Sequence, residues 1–344
     1  CILDEAQYIK NPGSLNAQAV KNINARVRFA LTGTPIENSL TELWSIFDFL
    51  MPGYLLSHGN FVKKYESPII KDKDQEALME LNKHIQPFIL RRFKKEVAKE
   101  LPPKIEHKVI VDMTDEQKRL YASYIASAKQ EVDEEIRENG FNKSKMKILA
   151  LLTRLRQICC DPSSFIENYD GESGKMMALD DILEESIGSG HRILLFSQFT
   201  TVLKNIEKRL VQNNIEYLYL DGQTPSKDRL NMVNRFNEGY GDVFLISLRA
   251  GGTGLNLTGA DVVIHFDPWW NPAVEEQAVD RAHRIGQNKT VQVIKLLSHG
   301  TIEEKIYDLQ EKKKEIIQSV LNNGNTGDVS LSNMSEMEFR ELFE

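Results

Sequence analysis

The chain has 344 residues, 41% of them apolar, and a formal net charge of −7 at pH 7. That length exceeds one ordinary domain and suits two lobes carrying insertions. The charge excludes a global basic field, so any contact with nucleic acid must come from local patches; three cysteines are too few for a disulfide framework; and no run approaches the roughly 20 apolar residues of a membrane span.

Residues 1–3 are an apolar stub that ends in Asp4-Glu5. Residues 26–32 read as a strand closed by the turn Gly33-Thr34-Pro35. From Leu40 to about Lys83 the pattern is helical, with aromatics at Trp44, Phe47, Phe61 and Tyr65 and one break at Pro52-Gly53. Residues 91–104 carry a local charge of +4, from six Lys/Arg against two Glu, and Leu101-Pro102-Pro103 reads as a linker. His107–Met113 alternates like a strand, and Thr114 with Gln117 forms a helix start of the capping-box kind. Charge-rich helices follow to about Cys160, then a loop-like stretch over 161–175.

From Arg192 the period changes. Five apolar strands, around 192–198, 215–222, 243–248, 262–267 and 291–297, alternate with helical stretches at 200–212, 226–237 and 273–285. That alternation predicts an α/β fold built on a parallel sheet with both faces covered. Such sheets bind ligands at the carboxyl ends of their strands, and Ser197, Asp221, Ser247 and Asp267 fall at or near those ends. A last helix spans roughly 301–321, and a short amphipathic tail ends at Phe343.

Three stretches carry chemistry. An Asp at a strand end can hold magnesium through water, and a neighbouring Glu can orient or deprotonate the attacking water, which gives Asp4 and Glu5 their candidate roles. Ala250-Gly251-Gly252-Thr253-Gly254 follows a buried strand; its glycines let backbone N–H groups approach an anion and Thr253 adds a hydroxyl. The third stretch is a helix that Asn271 caps and Pro272 begins, and it places Gln277, Arg281 and Arg284 at i, i+4 and i+7, on one face. Arginine suits the charge that develops on a transferred phosphoryl group. By contrast, Gly171–Met176 only imitates a phosphate-binding loop: its glycines stand two residues apart rather than four, and Met176 occupies the place of the required Ser/Thr.

These residues, together with the stretches 31–38, 88–104, 155–162, 196–199 and 220–224 and the block 247–287, resemble the motifs of the SWI/SNF-type ATPases of helicase superfamily two. The resemblance runs in order from residue 2 to about 321. The pairs Trp269-Trp270-Asn271-Pro272 and His283-Arg284-Ile285-Gly286-Gln287 are its most specific parts. Cys160-Asp161-Pro162 departs from the Asn-His-Pro common in eukaryotic relatives and points toward a bacterial one.

The resemblance implies RecA-like parallel-sheet lobes with helical insertions: a complete second lobe, and a first lobe whose phosphate-binding loop would lie upstream of Cys1. Residues 1–104 would be the rear of the first lobe, with a protrusion at 41–85 and a linker. Residues 105–300 would form the second lobe, with a protrusion at 113–175. Residues 301–344 would supply a brace helix and tail. Asp4 would bind magnesium and Glu5 activate water. Arg281 and Arg284 would complete the ATP site, with Gln277 and Gly254 beside them, and Thr32, Gly33 and Thr34 would couple hydrolysis to movement. Ser197, Gln198, Asp221, Gly222, Gly251, Gly252 and Thr253 would lie near the DNA track or the interlobe seam, and Trp269 and Trp270 would couple ATP turnover to DNA movement. ATP and Mg2+ are the implied cofactors. Double-stranded DNA is the implied partner, with a DNA-bound protein that is displaced or remodelled and no membrane. The implied location is the bacterial cytoplasm at the nucleoid, or the nucleus of a eukaryote. The implied function is that of an ATP-dependent double-stranded DNA translocase, with these 344 residues inactive on their own. The alternatives are a non-catalytic DNA-binding fragment and a strand-separating helicase of the same superfamily.

Overall fold

The computed structural model describes residues 1–33, 39–72, 74–92, 94–251, 254–322 and 336–343. The chain divides into two compact units, one built on Cys1–Arg92 and one on Phe93–Trp270 with Val274–Asp308. No helix among the described residues is long and apolar enough to cross a membrane.

In the first unit, strands β1 (Ile2–Leu3) and β2 (Phe29–Ala30) pair in parallel, Ile2 opposite Phe29. The strand expected over 26–32 is therefore shorter. Phe29 N–H donates to Cys1 O and Leu31 N–H to Leu3 O, and beyond the ladder Ala6 N–H donates to Leu31 O. Helix Leu40–Leu50 packs Leu43, Trp44 and Phe47 against Phe61, Tyr65, Leu78 and Leu81, so all four aromatics expected to pattern this region are buried. The region is broken more than once. Val62–Glu66 and Pro68–Asp72 are wide π-helical turns, and helix Gln75–Ile85 restarts on Asp74, whose carboxylate accepts from the Glu76 and Ala77 N–H groups. Pro68 lacks an N–H and cannot continue an ordinary helical ladder.

The second unit is centred on a six-stranded, all-parallel sheet. Its strands are β3 (Lys104–Val111), β4 (Ile193–Ser197), β5 (Tyr217–Leu220), β6 (Val243–Ser247), β7 (Val262–His265) and β8 (Val291–Ser298), in the order β3-β8-β7-β4-β6-β5. The five strands expected after Arg192 are all present, and β3 joins β8 in register over its full length. Residues of β4, β6 and β7 are buried throughout, as strands covered on both faces require. One apolar layer contains Leu194, Phe196, Phe236, Phe244 and Val263; the other contains Ile193, Leu195, Leu203, Ile206, Leu245 and Ile264.

The expected linker also bonds to this unit. Pro103 O accepts from Val291 N–H, and Pro102 O lies 2.8 Å from the His283 ring. A helical hairpin, Asp115–Asn139 and Phe141–Cys160, follows β3. Thr114 caps it by accepting from Gln117 N–H, as expected, but Gln117 does not reach back to close a capping box. Its amide is buried, donates to Ile158 O and Cys159 O, and accepts from Gly174 N–H, so it knots together three segments of chain. The imitation phosphate loop opens helix Gly174–Gly188. A Cβ on Gly174 would stand 2.1 Å from Asp112 O, so close packing explains this glycine. Lys175 is fully buried, donates to Phe266 O and pairs with Glu303 at 2.5 Å, which leaves it no phosphate to grip.

Candidate nucleotide and DNA site

Because every strand of the large sheet runs the same way, the ends of β4, β5, β6 and β7 lie on one edge. Ser197 and Ser247 close β4 and β6, Asp221 follows β5, and Asp267 stands just beyond β7.

Asp267 organises this edge. Its Oδ1 accepts from the Ser197 hydroxyl at 2.5 Å and the Gln198 N–H at 3.3 Å, and its Oδ2 lies 3.3 Å from Arg156 Nη2. Complete burial raises the Asp267 carboxyl to about 6, against the opposing pull of Arg156 and the Ser197 hydrogen bond. Ser197 is itself buried, and its oxygen also receives Phe199 N–H. These bonds make Ser197 part of the turn that follows β4. Gln198 beside it is half-buried.

Asp221 and Gly222 form a tight turn. Asp221 Oδ1 accepts from Gln223 N–H, the Thr224 hydroxyl receives Asp221 N–H, and Arg229 donates to the Thr224, Asp221 and Gly222 carbonyls. Gly222 is exposed at its tip. In the Gly-rich stretch, Gly251 ends the short helix Leu248–Gly251, while Gly252 and Thr253 lie outside the described residues. Gly254 has φ +36°, a left-handed value that favours glycine, and lines a cleft of about 420 Å³ with Ser226, Arg229 and Asn256.

The arginine helix is shorter than its pattern suggests. It runs Pro272–Val279, with Asn271 Oδ1 accepting Ala273 N–H at its start. Residues 280–287 form successive turns, in which Ala282 N–H bonds to Val279 O and Gln287 N–H to Arg284 O. The one-face placement of Gln277, Arg281 and Arg284 is therefore corrected. Gln277 is half-buried on the helix, Arg281 is drawn inside at 6% exposure, and Arg284 stands in solvent. Ala278, Val279 and Ala282 seat the segment in the core. Buried Gln287 donates to the Ala260 and Ala282 carbonyls and pins the far end, and Gly286 makes the bend at φ +104°. Lys94, from the basic stretch, donates to Asp280 and to His283 O.

The tandem tryptophans are both half-buried. Trp269 packs its ring on the core and donates its backbone N–H to Glu275 Oε1, and Glu275 pairs with Lys295 at 2.9 Å. Burial lowers the Lys295 pKa, but Glu275 more than reverses that and holds it above the ordinary lysine value. The Trp270 ring lies 5.5 Å from the Arg156 guanidinium.

In the first unit, Asp4 is exposed where β1 stops, and its Oδ1 accepts Glu5 N–H. Glu5 has φ 51°, unusual for a residue with a Cβ, and its carboxylate accepts from the Gln7 amide. Gln7 in turn accepts from the Thr32 hydroxyl at 2.8 Å. Glu5 and Thr32 are thus joined through one side chain, a link that sequence spacing did not reveal. Gly33 is exposed with open space about it; Thr34 and Pro35 lie outside the described residues.

Residues 1–164 match the SNF2-related domain and residues 174–286 the helicase conserved C-terminal domain. An uncharacterized ATP-dependent helicase of Mycoplasma genitalium is 40% identical over the whole chain and 32% of its own length. A putative ATP-dependent helicase/translocase of Bacillus subtilis is 39% identical over 99% of the chain and 37% of its own length. The chain spans about a third of the length of these curated relatives. Among solved structures, the Sulfolobus solfataricus SWI2/SNF2 ATPase core in complex with dsDNA is 38% identical, with a TM-score of 0.57, over all of this chain and 72% of that one. The chain belongs to the SWI2/SNF2 ATPase family.

Proposed function

We propose that the protein containing these residues is an ATP-driven motor that tracks along double-stranded DNA, in the nucleoid or the nucleus, and displaces or remodels what is bound there. The observation that carries this reading is the gathering of the Ser197–Gln198, Asp221–Gly222 and Asp267–Trp270 turns on the ligand-binding edge of one all-parallel sheet. Support comes from the 38% identity to a SWI2/SNF2 core held on dsDNA.

Asp4 fits a hydrated hard cation: it is an exposed carboxylate at a strand end, without the closed cage of oxygens that calcium would require. Bound with ATP, magnesium would offset charge on the phosphates. Glu5 would orient the attacking water, its carboxylate held by Gln7, while Thr32 at the other end of that link, with Gly33 and Thr34, would relay the nucleotide's state. Arg281 and Arg284 would stabilise charge on the transferred phosphoryl group, with Gln277 and Gly254 beside it. Gln198, Gly222, Gly251, Gly252 and Thr253 would follow the DNA backbone, and Trp269 and Trp270 would couple turnover to movement. Contacts of that kind position rather than specify, so sequence preference should be slight.

ATP hydrolysis by the full-length protein, with and without duplex DNA, tests this reading. Duplex-stimulated hydrolysis that Glu5→Gln and Arg284→Ala each abolish is expected; unchanged hydrolysis in both variants overturns it. The relatives named as helicases favour strand separation as a second reading, which release of one strand from a duplex would establish.

A further inference from the structure

Arg156 is the largest fully buried side chain of the described residues, at 1% exposure, and none of the roles proposed above uses it. It stands near the end of helix Phe141–Cys160, the second arm of the helical hairpin. Its guanidinium reaches two places in the β7 exit loop: Nη2 donates to the Pro268 carbonyl and lies 3.3 Å from Asp267 Oδ2. The same group has the Phe199 ring 5.5 Å away and the Trp270 ring also 5.5 Å away. Asp267 carries the connection on to Ser197 and Gln198 at the end of β4. One planar cation therefore joins the hairpin, the turn after β4 and the loop bearing the tandem tryptophans.

We propose that Arg156 is a positioning residue for Trp270: it fixes the ring by a cation–π contact and by holding the Pro268 carbonyl, and so ties the helical hairpin to the coupling of ATP turnover to DNA movement. The inference rests on the coupling role proposed above for Trp270. Burying a full charge is costly, and a residue needed only to fill the core could be apolar. A lysine could pair with Asp267 but would lack the flat, delocalised cation that two aromatic rings can meet. The combination of a carboxylate, a carbonyl and two rings around one group suits arginine specifically. It also gives the hairpin a handle on this loop at two points, the Pro268 carbonyl and the Trp270 ring.

The test uses the full-length protein: emission is read with Trp270 as reporter after every other tryptophan is replaced by phenylalanine, and coupling is read in the otherwise wild-type protein. Arg156→Lys keeps the charge and loses the planar face. Arg156→Met combined with Asp267→Asn removes both charges, so no buried ion is left unpaired if Arg156→Met alone does not fold. Arg154→Met is the control: it makes the same change on the same helix, at a guanidinium that faces Phe165 at 5.0 Å. The expected result is altered Trp270 emission in both Arg156 variants, together with a roughly tenfold fall in DNA displacement per ATP hydrolysed, the size of coupling that one network residue can carry, and no change in the control. In the otherwise wild-type protein, Trp270→Ala should also lose coupling. Normal emission and normal coupling in the Arg156 variants, with coupling lost in Trp270→Ala, overturns the proposal alone. Normal coupling in Trp270→Ala overturns the reading on which it rests, and the proposal with it.

Discussion

Arg281 and Arg284 stand three residues apart in opposite environments: Arg281 is 6% exposed within the second unit, while Arg284 projects into solvent from the turn that Gln287 pins. Loss of Arg284 should therefore leave folding intact, whereas loss of Arg281 removes a buried cation with its packing. For Arg284→Ala we expect an unchanged melting temperature and a fall in kcat of about 1,000-fold, the lower end of what an arginine acting on a transferred phosphoryl group supplies. Arg281→Ala should lower both activity and melting temperature. Steady-state kinetics and thermal denaturation of the two variants, side by side, check this.

The difference between the two arginines also shows what sequence reading could reach here. The order of strands and helices after Arg192 was legible because alternating apolar runs in a covered parallel sheet leave few other arrangements. Asp221 and Asp267 were legible as residues at the carboxyl ends of the strands for the same reason. The end of the arginine helix was not. Glu276 to Gly286 contains no proline to stop it, and the helix ends because its backbone tightens into turns anchored by Gln287, a tertiary contact. Arg156 was missed for a similar reason: 111 residues separate it from Asp267, and a helical arginine usually reads as solvated surface.

Glu5 should act on the water and not on nucleotide affinity. Glu5→Gln preserves shape and the contact with Gln7 while removing the base, so hydrolysis should fall at least about 100-fold with ATP binding retained. Nucleotide binding measured by fluorescence titration, beside turnover, separates the two effects. A large loss of affinity would move Glu5 from catalysis to binding.

Asp267 gives the second unit a signed pH dependence. Burial raises its carboxyl from 3.8 to about 6, so the folded protein holds a proton there that the unfolded chain has released. Where the folded state binds more protons, stability falls as pH rises, here between about 4 and 6. The penalty is complete above that window and relieved below it. Asp267→Asn should flatten this part of the stability profile while keeping an acceptor for Ser197. Denaturant unfolding from pH 4 to 7, wild type against variant, checks it; parallel profiles would assign the titration to other groups.

Gly286 turns the chain at φ +104°, where any Cβ is strained, although space around it is open, with Thr258 the nearest contact at 3.9 Å. Gly286→Ala should cost about 1 kcal/mol or more from backbone strain alone. Because the same turn carries Arg284, kcat should fall with it. Chemical denaturation and turnover of this variant report the two losses separately.

Movement along intact duplex is the property that distinguishes a double-stranded DNA translocase from a strand-separating helicase and from a passive binder. It is read directly by release of a third strand from a triplex by the full-length protein with ATP. We expect third-strand release that requires ATP and leaves the underlying duplex paired, and that Glu5→Gln abolishes. Failure to release the third strand despite duplex-stimulated hydrolysis, or separation of the duplex itself, would contradict translocation as the function of this motor.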